Sequence, residues 1–294
     1  MTKTIKGVLL TLLAGVFWGL SGVAGECLMA DGDITAAWLV PVRLLSSGLI
    51  LFVYQLCLCK GSFFDIFKTK ANIFDLLIYS ILGIMLCQFT YFYTIQYSNA
   101  GTATVLQYIA PVLIMAFTCI IEKRLPKIIE CICVFMVMAG VFLLATHGDI
   151  NSLAMSPKAL VVGIISAFTV VVYSLQPARL MKQYSPFYML AWAFIIGGVV
   201  LSLVFRLWEY TPYLNITRIG LVAVTSLVGS IGGYALYLNG IRLIGGTKAC
   251  LIGCVEPVSA AVFSAMFIGT DFVVWDIVGF VLIISTVVIL SVEK

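Results

Sequence analysis

The stretch at 245–268, GGTKACLIGCVEPVSAAVFSAMFI, carries two charges, and one of them, Glu256, stands 11 residues past Gly245 among apolar neighbours. At 1.5 Å per residue its 24 residues make a helix of about 36 Å, enough to cross the ~30 Å hydrocarbon core of a bilayer. A carboxylate at that depth costs several kcal/mol unless it is paired, protonated or turned toward water. The next residue, Pro257, has no backbone N–H and leaves a carbonyl without its helical partner, available to line a cavity. The run reads as a membrane span interrupted beside its one buried acid.

The remaining chain has the same character. Of 294 residues 62% are hydrophobic and only 10% charged, with a mean hydropathy of +1.14. A soluble domain is about a quarter charged. No globule of this size hides the surplus, so lipid is the solvent for much of the surface. A cytosolic enzyme, a secreted disulfide scaffold and a disordered regulator are excluded together. Apolar runs fall at 7–28, 36–58, 72–95, 101–121, 128–146, 157–177, 186–206, 216–239, 245–268 and 273–291, which leaves short connections and no attached soluble domain. The first run follows Lys3 and Lys6 but continues past Trp18 to Leu28 without a small-residue cleavage site, so it is expected to be a retained helix. Only Ser98, Asn99 and Gly101 separate the third run from the fourth. One helix over 72–121 would be about 75 Å long, so the chain must turn there.

Charge orients the spans. With the N-terminus inside, the inner side carries Lys3, Lys6, Lys60, Lys68, Lys70, Lys123, Arg124, Lys127, Arg179, Lys182, Arg242, Lys248 and Lys294. The outer side has Lys158, Arg206 and Arg218. Thirteen against three in short loops predicts cytoplasmic N- and C-termini, and anionic headgroups account for the net charge of +4 without nucleic acid. The nine cysteines lie almost entirely in apolar runs and read as small hydrophobes. No Cys-x-x-Cys pair exists, and the one histidine, His147, cannot complete a metal cluster. No cofactor is expected.

Ala110-Pro111-Val112 lies 146 residues before Glu256-Pro257-Val258. The same offset pairs Tyr91 with Tyr237, Leu143 with Ile289 and Leu144 with Leu290, while Gly48 and Gly198 pair at 150. Five runs, a polar stretch around 147–156, and five more make two halves, 1–148 and 149–294. Because five is odd, the second half crosses the membrane upside down. The expected fold is an all-α integral membrane protein with ten transmembrane helices in two inverted five-helix repeats. Secondary transporters use this plan, with the substrate path near the midplane between the halves.

At these residues the chain resembles the drug/metabolite transporter superfamily, and within it the EamA-type ten-helix transporters. The features are Phe17-Trp18-Gly19 in span one, Arg43 in span two and Pro111 in span four, followed by Glu122-Lys123-Arg124-Leu125. Ala139-Gly140-Val141 then closes span five, and Glu256-Pro257-Val258 resembles the family's Glu-Pro signature in span nine. Gly269-Thr270-Asp271 departs from the Gly-Glu pair often found there. The resemblance covers essentially the whole chain. It implies a central cavity formed by helices 1–4 and 6–9, with helices 5 and 10 peripheral. It also implies substrates such as amino acids, nucleobases, vitamins or drugs, and export by proton antiport in much of the family, with uniport and import also known.

Polar groups inside the spans are the candidate cavity residues. Glu256 is either a proton or substrate site or a structural cap that locks the halves. Arg43, roughly seven residues into span two, cannot lose its proton and needs an acid, carbonyls or an anionic substrate group. Glu26 is at comparable depth and is a possible partner; its other reading is snorkelling to the interface. Trp18 is nearly mid-span. Gln88 and Tyr91 share one face of span three with Ile95; Gln107 is in span four, Tyr173 and Gln176 in span six, Trp192 in span seven, and Tyr234 and Tyr237 in span eight. Tyr97, Tyr108, Tyr184 and Tyr188 lie nearer span ends and are expected in the interfacial belt. Such a lining suits a flat or amphipathic organic solute. Gly15-x-x-x-Gly19 and Gly229-x-x-x-Gly233 predict close helix approach.

There is no Walker-type loop and no room for an ATPase domain, so a gradient must supply the energy. The expected function is a secondary transporter exporting small organic solutes across a prokaryotic plasma membrane by proton antiport and alternating access, with Glu256 as the coupling residue. A facilitative uniporter or importer is the alternative within the class. A passive channel would need a continuous polar pore. A membrane-embedded enzyme would need an interfacial acidic or histidine cluster, for which Asp31 and Asp33 alone are poor evidence. The expected partners are the solute, protons and membrane lipid, with the chain a monomer or weak homodimer.

Overall fold

The computed structural model describes residues 3–58, 63–97, 100–149, 157–269 and 273–292. Lys60, Ser98, Asn99, Thr270, Asp271, Lys294 and most of the polar stretch that divides the two halves lie outside the described residues. Among the described residues, every regular element is helical. In chain order these are α1 (Lys3–Met29), α2 (Ala36–Leu58) and α3 (Lys70–Tyr97). Next comes α4, in two pieces (Ala100–Gln107 and Ala110–Glu122), then α5 (Ile128–Thr146), α6 (Pro157–Leu175) and α7 (Pro186–Val204). Last are α8 (Ile216–Ile244), α9, again in two pieces (Gly246–Gly253 and Glu256–Phe267), and α10 (Val274–Val292). Helices α1, α2, α3, α6, α7, α8 and α9 are long and apolar enough to cross a membrane; α5, α10 and the second piece of α4 are shorter apolar helices. This is an all-α, multi-pass membrane protein.

The helix ends follow local chemistry. Ser185 caps α7, its Oγ accepting from Tyr188 N at 3.3 Å with Pro186 in the first turn. Asn215 caps α8 by accepting from Arg218 N at 2.8 Å. The turn from α8 into α9 is the single residue Gly245 at φ +81°, a conformation that penalises any Cβ.

Two long helices are not uniform. Helix α3 is π-helical over Ile78–Met85, and α8 over Val224–Gly233. The second π segment begins 146 residues after the first, and the second pieces of α4 and α9 begin at Ala110 and Glu256 with the same offset. In both broken helices the proline sits at the second position of the new piece, where it lacks the N–H that would bond one turn back. A π turn admits an extra residue and changes the face that everything beyond it presents.

Packing is reciprocal between the halves. Helix α1 lies against α8 and α9, while α6 lies against α3 and α4; α2 packs on α7 and α5 on α10. A Cβ on Gly48 would meet Ile195 N at 2.9 Å, and one on Gly198 would meet Leu45 N at 2.9 Å, so α2 and α7 touch nearly backbone to backbone. Leu9, Val53, Phe74, Ile120, Phe135 and Val281 point outward and exposed, as lipid-facing side chains do. The polar ends are tied separately. At one end Arg218 bonds Asp31 and Asp33, and His147 Nδ1 lies 2.9 Å from Asp276 Oδ1. At the other, Arg179 Nε donates to Asp75 Oδ2 at 2.5 Å and its Nη2 to Asn72 Oδ1 at 3.0 Å.

Candidate functional site

The helix breaks meet in the interior. Pro257 leaves the Gly253 carbonyl without its helical donor, and the Tyr108 hydroxyl approaches that oxygen at 3.4 Å while donating to Glu256 Oε2 at 3.0 Å. Tyr108 stands in the break of α4 and Glu256 opens the second piece of α9. Both side chains are buried. Gly15 and Gly19 bring α1 onto this break, and a Cβ at Gly19 would meet Glu256 O at 2.9 Å.

From there a cavity extends between Trp18, Ser21, Gly22, Arg43, Cys87, Gln88, Tyr91, Phe92, Gln107, Tyr173, Tyr234 and Glu256. A second space adjoins it, lined by Tyr108, Pro111, Tyr237 and Cys250 and sharing Trp18, Gln107, Tyr173 and Glu256 with the first. Aromatic rings form much of the wall. Trp18 meets Tyr234 and Tyr237 at centroid separations of 5.2 and 5.0 Å, and Tyr173 meets the same two rings at 5.5 and 5.8 Å. The Tyr237 hydroxyl is used by Ser174 Oγ at 3.2 Å, and Gln107 Nε2 donates to Ser166 Oγ at 2.8 Å.

Arg43 is 2% exposed. Its Nε donates to Ser230 Oγ at 3.0 Å and its Nη2 to Ser21 Oγ at 3.4 Å, while the guanidinium lies 4.6 Å from the Phe92 ring centroid. Neither Glu26 nor Glu256 pairs with it; the pairing weighed from the sequence is replaced by two serines and an aromatic face. Among the described residues Nη1 has no hydrogen-bond partner, and neither do Trp18 Nε1 or the two polar atoms of the Gln88 amide.

Nine expected residues thus converge: Trp18, Arg43, Gln88, Tyr91, Gln107, Tyr173, Tyr234 and Glu256 on the first space, Tyr237 on the second. Two do not. Trp192 lies near the start of α7 and donates to the Phe63 carbonyl at 3.0 Å, inside a cluster with Phe52, Phe63, Phe64 and Phe67. Gln176 follows the end of α6 and donates to the Asp75 carbonyl at 3.0 Å. Both close an end of the bundle rather than line its centre. Tyr108, expected in the interfacial belt, belongs inside instead; its place three residues before Pro111 was the available signal. Cys87 was missed because a cysteine in an apolar run carries no directional information.

An apolar exterior around a closed set of polar and aromatic side chains, reached by broken helices, defines a multi-pass membrane carrier. The profile of the EamA-like transporter family matches residues 5–146 and again 157–292. The Salmonella typhimurium protein described as uncharacterized inner membrane transporter YicL is 36% identical over 295 residues, covering 100% of this chain and 98% of that protein. The uncharacterized transporter sll1319 of Synechocystis is 23% identical over 99% of this chain and 94% of its own length. YyaM of Bacillus subtilis, also described as an uncharacterized transporter, is 25% identical over 76% and 75%. One solved crystal structure shares the fold at a TM-score of 0.78 and 14% identity, over 96% of this chain and 95% of that one. The chain belongs to the EamA-like drug/metabolite transporter family. It is a secondary transporter for small solutes, a multi-pass protein of a prokaryotic plasma membrane, and its role is transport rather than catalysis.

Proposed function

We propose that the chain exports small organic solutes, such as amino acids, nucleobases, vitamins or drug-like compounds, by proton antiport and alternating access. In this reading ten transmembrane helices form two inverted five-helix repeats, 1–148 and 149–294, with both termini cytoplasmic. The reciprocal contacts, α1 on α8 and α9 against α6 on α3 and α4, support the repeat, as do the 146-residue offsets of the π segments and breaks. Thirteen basic residues against three support the orientation. Cysteines introduced at Lys70 and Asp149 of a cysteine-free chain should then react from opposite sides.

One observation carries the coupling role: the buried Glu256 carboxyl lines the cavity at the break of α9, bonded to Tyr108 across the interface between halves and, among the described residues, to no cation. A carboxyl so placed can hold a proton in one state and release it in another, and solute and proton then compete for one space. Solute flux in proteoliposomes under an imposed pH gradient tests it. Glu256→Gln keeps volume and hydrogen bonding but fixes a neutral side chain, so gradient-driven accumulation should vanish while solute exchange persists. Undiminished gradient-driven flux in E256Q rejects the proton role; loss of folded protein shifts Glu256 to the structural reading.

A further inference from the structure

The charged groups of the cavity make the solute's own charge legible. Arg43 brings a permanent cation into the interior, and two of its three nitrogens are engaged, Nε by Ser230 and Nη2 by Ser21. The guanidinium carbon lies over the Phe92 ring, 4.6 Å from its centroid. The edge left over is Nη1, on a side chain that lines the cavity and is 2% exposed. Two further unpartnered groups share that cavity, the Trp18 indole N–H and the Gln88 amide. Donors therefore outnumber acceptors among the polar atoms left unused. A buried cation without a counter-ion is strongly unfavourable, and Glu256, the one carboxylate on the same cavity, is engaged with Tyr108 instead.

We propose that the transported solute carries a carboxylate, which binds Arg43 through Nη1 with the Gln88 amide beside it, and a flat apolar body that lies against Trp18, Tyr173 and Tyr234. Guanidinium recognises a carboxylate by charge-assisted hydrogen bonds that an amide of equal shape only partly replaces and an ammonium opposes. A phosphate would meet the same donor, but its larger charge would leave an excess over the single guanidinium. The inference names the substrate class of the site proposed above, and it rests on that reading for the transport step only.

The test uses three probes with one aromatic body: indoleacetate, indoleacetamide and tryptamine. Binding to the purified full chain in detergent at neutral pH is measured calorimetrically, in parallel with gradient-driven flux in liposomes. Indoleacetate should bind at least about tenfold more tightly than indoleacetamide, and tryptamine no more tightly than the amide. R43Q should remove the preference and leave both at the amide's affinity. R43K, which keeps the charge on a different geometry, should retain part of it and serves if R43Q does not fold. Equal binding of acid and amide by the native chain, a preference for tryptamine, no binding of any probe, or a preference that survives in R43Q overturns the proposal. Arg43-dependent carboxylate binding without gradient-driven flux would leave this inference standing and remove the antiport reading; gradient-driven flux of a solute without Arg43-dependent selectivity would do the reverse.

Discussion

Tyr108 and Glu256 join the two broken helices through one hydrogen bond of 3.0 Å. Each lies at the point where its own helix stops and restarts ahead of a proline, so the bond links the least regular backbone of one half to that of the other. In the proposed alternating-access cycle, relative movement of the halves and the state of the carboxyl would act on these same atoms.

Tyr108→Phe removes the donor and keeps the ring. A hydrogen bond to a carboxyl in this setting is worth about 1–3 kcal/mol, so gradient-driven flux should fall about tenfold while the chain still folds. Liposome flux set beside the thermal melt of the purified variant measures both. Unchanged flux in a well-folded Y108F would remove Tyr108 from the working site.

Gly19 lets α1 rest on the restart of α9, since an added Cβ would lie 2.7 Å from Ala260 N and 2.9 Å from Glu256 O. Backbone atoms cannot step aside as a flexible side chain can. Gly19→Val should therefore lower stability by about 1–3 kcal/mol and reduce flux, whereas Gly220→Ala, where nothing lies within 4 Å, should be neutral. Melting temperatures of the two variants decide this, and equal effects would refute the close-packing role.

Trp192 stacks on Phe63 at 4.7 Å and meets Phe67 edge-on at 4.6 Å. Trp192→Ala should cost about 3 kcal/mol of stability, yet leave the dissociation constant of a cavity ligand within about twofold. A selective loss of ligand affinity without loss of stability would return Trp192 to the cavity.

The apolar runs locate the helices to within a few residues because lipid imposes one rule on every span, and α1, α2 and α7 begin and end close to where hydropathy places them. The π segments are invisible to that rule: Ile78–Met85 and Val224–Gly233 are apolar like their surroundings and contain no proline. Polarity within a run found most of the cavity, since polar groups avoid lipid. It could not separate a centre from an end. Trp192 lies six residues past Pro186, and its depth, together with the aromatic group Phe63, Phe64 and Phe67 between α2 and α3, was the overlooked signal. Arg43 was legible as a charge needing a partner. That serines and a ring, not an acid, would meet it depends on where α1, α3 and α8 come together, which no local pattern encodes.

The loop between α1 and α2 is fastened to the loop between α7 and α8 through Asp33. Its Oδ1 accepts from the Tyr210 hydroxyl at 2.6 Å and its Oδ2 from Arg218 Nη1 at 2.5 Å, while Arg218 also bonds Asp31. The Tyr210 hydroxyl first, and the Arg218 guanidinium second, hold the Asp33 carboxyl below its ordinary value of 3.8. A carboxyl lowered on folding contributes stability that is present above that ordinary value and is lost as pH falls through the lowered one. Because the cluster is exposed and screened by salt, its contribution is small. Asp33→Asn should thus lower the melting temperature slightly at neutral pH, by about 1–3 °C, and the gap to the native chain should close below pH 3.8. Raising the salt concentration at neutral pH should narrow the same gap, and Arg218→Gln should behave like D33N. Melts recorded from neutral to acidic pH, with and without added salt, measure each of these. A gap that stays constant across that range would mean that Asp33 acts through shape alone and that its charge does not fasten the two loops.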